Sequence, residues 1–226
     1  MKRAHGRLSK QDLKEDELVN KALQAWAYIE QNYTRILAVL GVVVVVVLIG
    51  VYLRYESRRQ ARVSIDALGE ARIALFQGRI DEALAQAQDI IDDYGDGPAV
   101  GQALMLQSNV LFGQGRYAES KAAYERYMRE YGDEGAAGYG AWSGIAACLE
   151  EEGNPRGAGE EYLAYVDRMP ESAFAPLALR EAARCFEHAG DLDRARAALQ
   201  QIVDRYSDNR LARVAKAELR QMGAAN

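Results

Sequence analysis

Leu104, Ser108 and Leu111 lead to Gly115, and Tyr117, Ser120, Tyr124 and Tyr127 follow it. Positions three and four apart share one face of an α-helix, so this segment predicts two amphipathic helices joined at a glycine. The same order returns twice. Trp142, Ile145, Ala146 and Leu149 lead to Gly153, with Ala158, Tyr162 and Tyr165 running on to Pro170. Leu179, Ala182, Ala183 and Phe186 lead to Gly190, with Ala195, Leu199 and Ile202 beyond it. A plainer version with Ala67, Ala71 and Ala74 precedes Gly78. The four glycines are separated by 37, 38 and 37 residues, and each opens a related phrase, from Gly-Arg-Ile-Asp-Glu-Ala to Gly-Asp-Leu-Asp-Arg-Ala. A second phrase keeps step: Tyr94-Gly95-Asp96, Tyr131-Gly132-Asp133, Met169-Pro170-Glu171, Tyr206-Ser207-Asp208. A fixed period of this size means stacked supersecondary units, each burying a face it cannot bury alone. The small residues Ser108, Ala146 and Ala183 let helices approach closely. Leu211, Val214, Ala215 and Leu219 form one more amphipathic stretch, suited to capping the open end.

This order of large, small and aromatic positions resembles the tetratricopeptide repeat over residues 63 to 209, with a period a few residues longer than the usual ~34. The likeness is weakest in the first unit, where Ala87 stands in place of an aromatic ring. The resemblance implies an all-α, right-handed superhelical solenoid of about four helical hairpins plus a capping helix. The units fall at about 63–98, 99–136, 137–174 and 175–209, the cap at 210–222, within a repeat domain of 55–226. Offsets carried over from the repeat line the groove of the first helices with Leu68, Arg72, Met105, Asn109, Phe112, Ser143, Ala147, Arg180, Arg184 and His188. Such a groove takes proteins or peptides, here a segment with apolar anchors and an acidic end against Arg180 and Arg184. Two readings stay open, because Met105 and Phe112 also suit packing between units and the arginines also suit pairing with Glu181 and Glu187. The Lys and Asn clamp that some of these repeats close on a terminal carboxylate is missing: Met105, Gly144 and Leu177 stand at its places, although Asn109 fits.

Ile36 to Leu53 is an 18-residue run without charge, 14 of its residues Ile, Leu or Val. At ~1.5 Å per residue a helix of that length spans about 27 Å, near the hydrocarbon thickness of a bilayer. Its insertion term is on the order of −6 kcal/mol. In water a polyvaline run favours a strand; in lipid the backbone satisfies itself only as a helix or closed barrel. Arg35 and Arg54 bracket the run, and Trp26, Tyr28, Tyr33, Tyr52 and Tyr55 flank it. The sequence thus predicts a tail over 1–34, a transmembrane helix over 35–54 in contact with lipid through Ile36 to Leu53, and the repeats beyond. A cleaved signal peptide would want a short basic start and small residues after the apolar run, which this chain lacks. Leu13, Leu18, Val19, Leu23, Trp26 and Ile29 give the tail an amphipathic stretch suited to the membrane surface. With no proline before Pro98, the anchor helix can run unbroken into the first repeat. Orientation stays open: seven Lys or Arg precede the span, but Arg54, Arg58, Arg59 and Arg62 cluster just after it.

Charge divides at the span, with 8 basic and 5 acidic residues before Tyr55 and 20 and 28 from there on. An acidic repeat domain argues against nucleic acid as a partner. Only His5 and His188 occur, neither at metal-ligand spacing, so no metal or cofactor is expected. Asp92 to Gly97 departs from a calcium loop, because Tyr94 and Ala103 stand where oxygen ligands belong; its recurrence makes it an inter-unit turn. Cys148 and Cys185, one period apart, suit core packing. Glu150-Glu151-Glu152 reads as a solvated face. No catalytic constellation or small-molecule site emerges, so the expected class is a non-enzymatic scaffold.

One membrane anchor behind a short charged tail and ahead of about four such repeats is similar to the bacterial ancillary Sec-translocon subunit family (YfgM-like) and to cell-division coordinators of the envelope. That resemblance implies a single-pass inner-membrane protein whose repeats face the periplasm as an adaptor or chaperone-like subunit. A cytoplasm-facing adaptor is the alternative.

Overall fold

The computed structural model describes residues 10–95, 97 and 99–224. His5, Asp96 and Pro98 lie outside them. Among the described residues the ordered structure is helical: α1 Lys10–Phe76, α2 Ile80–Asp93, α3 Val100–Gly113, α4 Tyr117–Tyr131, α5 Gly135–Glu151, α6 Pro155–Arg168, α7 Ala175–His188, α8 Leu192–Arg205 and α9 Arg210–Ala224. Two compact units divide between Arg58 and Arg59.

The first unit holds the apolar part of α1. An 18-residue window there has a mean hydropathy of 3.2 and none of it is buried in the protein. The large apolar side chains of 37–53 are 50% to 65% exposed. By length and composition this stretch of α1 is long and apolar enough to cross a membrane.

In the second unit each helix packs on the next, from α2 through α9. The first helices of successive hairpins also touch (α3 on α5), and the last helix lies on both α8 and α7. Residues 59–76 of α1 join α2 and α3 through Leu68 and Ala71, which share a core with Ala87, Ile90 and Leu104. Leu68 was expected on the groove but is only 2% exposed. Four residues along a helix is a rotation of about 40°, enough to put Leu68 in the core and Arg72 at the rim.

The recurring glycine ends the first helix of each hairpin. Gly78, Gly115, Gly153 and Gly190 have φ of 74° to 81°. At Gly115 the N–H donates to the Phe112 carbonyl (2.9 Å) and the next N–H, of Arg116, donates to Leu111 (2.9 Å). The same pair recurs at the other three, a double closure that satisfies orphan carbonyls and needs a left-handed residue. The second helix then starts from a polar cap in two hairpins: Asn154 accepts from the Gly157 N–H, and Asp191 from that of Arg194.

Alanine and glycine set how close the helices come. Ala83, Ala87, Ala103, Ala146, Ala158, Ala182 and Ala195 are fully buried, and large rings fill the spaces left between them. A Cβ on Gly144 would strike the Tyr124 ring, and one on Gly159 the Phe186 ring. Tyr139 stacks on Phe174 at 4.7 Å and meets Tyr165 edge-on at 5.1 Å, joining the third hairpin to the fourth. Both cysteines are free and buried, as packing residues. Burial pushes the Cys185 thiol up to about 12. At the turns between hairpins Tyr206 donates to the Pro170 carbonyl (2.7 Å), and Asp133, only 9% exposed, is paired with Arg168.

Candidate protein-binding groove

Helix α3 sends Gln102, Met105, Leu106 and Asn109 to one stripe, because these positions fall within about 100° of arc on a helix. They line a groove of about 550 Å³ with Arg72 and Leu75 from α1, Tyr127 and Tyr131 from α4 and Ala137 from α5. The walls are mostly apolar. Tyr127 and Tyr131 stack at 5.6 Å, and Gly101 leaves room for the Tyr131 ring against α3. The polar atoms are ordered by intramolecular bonds: an Arg72 Nη2 donates to Gln102 Oε1 (2.8 Å), and the Tyr124 hydroxyl donates to Asn109 Oδ1 (2.7 Å). Burial pushes the Tyr124 hydroxyl up to about 12, so it stays a donor.

A second groove of about 590 Å³ lies between α7, α8 and α9. Arg180, Arg184 and Arg196 line it, as do Glu181, Glu187 and Glu218, with Leu192 and Met222 as its apolar patches. Its arginines are engaged. Arg180 donates to Glu218 of α9 (3.2 Å). Arg184 donates to both carboxylate oxygens of Glu150 (2.8 and 2.6 Å) and through Nε to Glu181 (2.8 Å). Arg196 pairs with Asp193 at 3.1 Å. Hydrogen bonds from Arg184 hold the Glu150 carboxyl below the usual carboxylate range, and those to Glu150 raise the Arg184 guanidinium further.

The residues expected along one groove thus fall on two. Arg72, Met105 and Asn109 come together in the first, Arg180 and Arg184 in the second. Phe112 packs edge-on against Tyr117 at 5.4 Å and lies half-buried against the core cluster of Tyr124, Ala141, Ile145 and Cys148, and Ser143 turns its hydroxyl back to the Gly140 carbonyl. His188 is exposed, its Nδ1 3.9 Å from Glu150. Of the two readings left open for Arg180 and Arg184, the structure shows pairing, with Glu150, Glu181 and Glu218 rather than with Glu187. One expectation is corrected. Glu150 is a bridge between units rather than only a solvated charge: its side chain is 17% exposed. Gln102 was missed, although its place three residues before Met105 puts it on the same stripe; Tyr127 and Tyr131, four apart on α4, carried the same signal. Among the described residues no cluster of three or more His, Cys, Asp or Glu is arranged to hold a metal ion.

The sequence matches family models described as tetratricopeptide repeat over residues 68–135 and 107–173, and again over 177–209. No curated protein matches the chain. Among solved structures it is similar to a tetratricopeptide repeat protein from Parabacteroides merdae ATCC 43184, with 15% identity and a TM-score of 0.55. That alignment covers 72% of this chain and 60% of the other, so this chain accounts for less than two thirds of that relative. It is also similar to the nearly identical TPR-like repeats of a Podosopora anserina protein assigned as a kinesin light chain. There the identity is 16% and the TM-score 0.54, over 74% of this chain and 88% of that one. At such identities the structures speak for the fold alone. Stacked hairpins, an open groove on the first helices and the family models converge: the chain belongs to the tetratricopeptide repeat family, whose repeats are scaffolds that bind proteins or peptides.

Proposed function

We propose that this protein is a membrane-anchored scaffold of the bacterial envelope. In this reading residues 36–53 cross the inner membrane and the repeats face the periplasm, as an adaptor or chaperone-like subunit of a membrane complex such as the Sec translocon. The observation that carries the anchor is the row of uncovered apolar side chains on α1, which water would penalise by roughly 25 cal/mol per Å² of exposed apolar area. The groove of α3 supports the binding role, since it offers apolar walls and few, fixed polar atoms. A reporter enzyme active only outside the cytoplasm, fused after Asn226, tests the orientation. Activity supports the periplasmic reading. Silence there, with a cytoplasmic reporter active instead, supports a cytoplasm-facing adaptor, the reading that Arg54, Arg58, Arg59 and Arg62 favour through the positive-inside bias. Release of the chain from membranes by alkaline carbonate would sink both.

A further inference from the structure

Resting on that reading of the groove, we infer that it takes an extended protein segment bearing a side-chain carboxylate, and that the carboxylate seats at Arg72. Four arginines line the two grooves. Three of them face carboxylates of this chain, and Arg184 spends Nε and both terminal nitrogens on Glu150 and Glu181. Among the described residues Arg72 has no carboxylate partner; it gives one terminal N–H to the neutral oxygen of Gln102. An incoming acid at Arg184 has to displace Glu150, whereas at Arg72 it displaces nothing.

The polar atoms beside Arg72 point the same way. Gln102 and Asn109 each have their amide oxygen occupied, by Arg72 and by Tyr124, so the amide N–H₂ groups remain to donate. The rim is therefore rich in donors, and its matching ligand offers acceptors: a carboxylate and main-chain carbonyls. Gln102 and Asn109 are seven residues apart, about 10.5 Å along the helix, which is the rise of about three residues of extended chain. A segment lying along α3 can set its carboxylate on Arg72 and Gln102, give a carbonyl to Asn109, and lay the apolar side chain between them on Met105. The apolar walls lower the local dielectric and strengthen the ion pair. The acidic end of the ligand thus goes to the first hairpin, not to Arg180 and Arg184.

The test pans short random peptides against the full chain in lipid nanodiscs, and remakes the enriched peptides acetylated and amidated so that no terminal carboxylate remains. Peptides with Asp or Glu beside large apolar residues are the expected selection. Replacing that acid by its amide should weaken binding roughly tenfold in fluorescence anisotropy. Arg72→Gln should erase the difference between the two peptides, and Arg180→Ala should leave it intact. Enrichment of apolar peptides without acids, or an acid preference unchanged by Arg72→Gln, overturns the assignment while the groove reading stands. A requirement for a free C-terminus overturns it too. If no peptide is enriched at all, the groove reading falls with it.

Discussion

Gly144 sits inside α5, where an alanine would ordinarily strengthen the helix by about 1 kcal/mol. Here it faces Tyr124. A Cβ on Gly144 would lie closer than 3.0 Å to three atoms of the Tyr124 ring, a separation that real packing does not tolerate. That ring has little freedom to move, since it is 4% exposed and its hydroxyl is bonded to Asn109. Overpacking of this kind costs about 1–3 kcal/mol, and losing the Asn109 bond adds about 1 kcal/mol. After the helix gain is subtracted, Gly144→Ala should destabilise the repeat unit by about 2 kcal/mol. For a unit of this size the midpoint of thermal unfolding then falls by about 4–8 °C.

The comparison that makes this decisive is Gly69→Ala, also within a helix, where an added Cβ meets nothing within 4 Å. It should gain about 0.4–1 kcal/mol. Both variants are read by circular dichroism melting of the full chain in the same detergent. If Gly144→Ala also raises the midpoint, the Tyr124 ring is not seated on Gly144, and the account of how the second and third hairpins pack is wrong.

The hairpin turn predicts a different signature: Gly115 has φ of +74° and an added Cβ would meet only the Tyr117 hydroxyl, at an unstrained 4.0 Å, so Gly115→Ala should cost about 1 kcal/mol through the backbone, and Gly115→Asn less, by denaturant melts. For Glu150, the folded carboxyl is held below its ordinary value by Arg184, so the stabilisation is present above the unfolded value and lost as pH falls through the folded one. Glu150→Gln should therefore weaken the fold at pH 7, by about 0.5–1 kcal/mol for a pair this accessible, with the gap closing below about pH 4; a gap constant with pH refutes the pairing. Cys148 and Cys185 are fully buried with raised thiols, so a thiol reagent at pH 8 should label them only at the rate of unfolding, and immediate labelling would contradict the packing.

What was legible in the sequence is what repeats in one dimension. The period of the glycines marks the hairpin turns, and the small residues at 108, 146 and 183 mark close approach; all three are buried. What escaped depends on rotation and on contacts a full unit away. Leu68 and Arg72 differ by about 40° around α1, which a carried-over offset does not resolve. Arg184 meets Glu150 34 residues back, and Arg194 meets Glu160 at the same separation, although nothing local in either helix announces the partner. Gly144 and Gly159 carry no visible mark of the rings they seat, because a mid-helix glycine reads only as a weak helix position.

These long-range pairs also decide where the surface is free to act. Each first helix serves two jobs, one arc buried against its neighbours and the adjacent arc open. An arginine on the open arc becomes structural when another helix brings it a carboxylate, as α9 brings Glu218 to Arg180 and α5 brings Glu150 to Arg184. In the first hairpin the corresponding position, Arg72, is offered only the neutral Gln102. Ion pairs at the C-terminal end hold helices together, while the N-terminal groove keeps a cation beside apolar walls. On the proposed seating of the ligand at Arg72, binding is set apart from stability, so Arg72→Gln should alter ligand choice with little change in melting temperature, whereas Glu150→Gln should do the reverse.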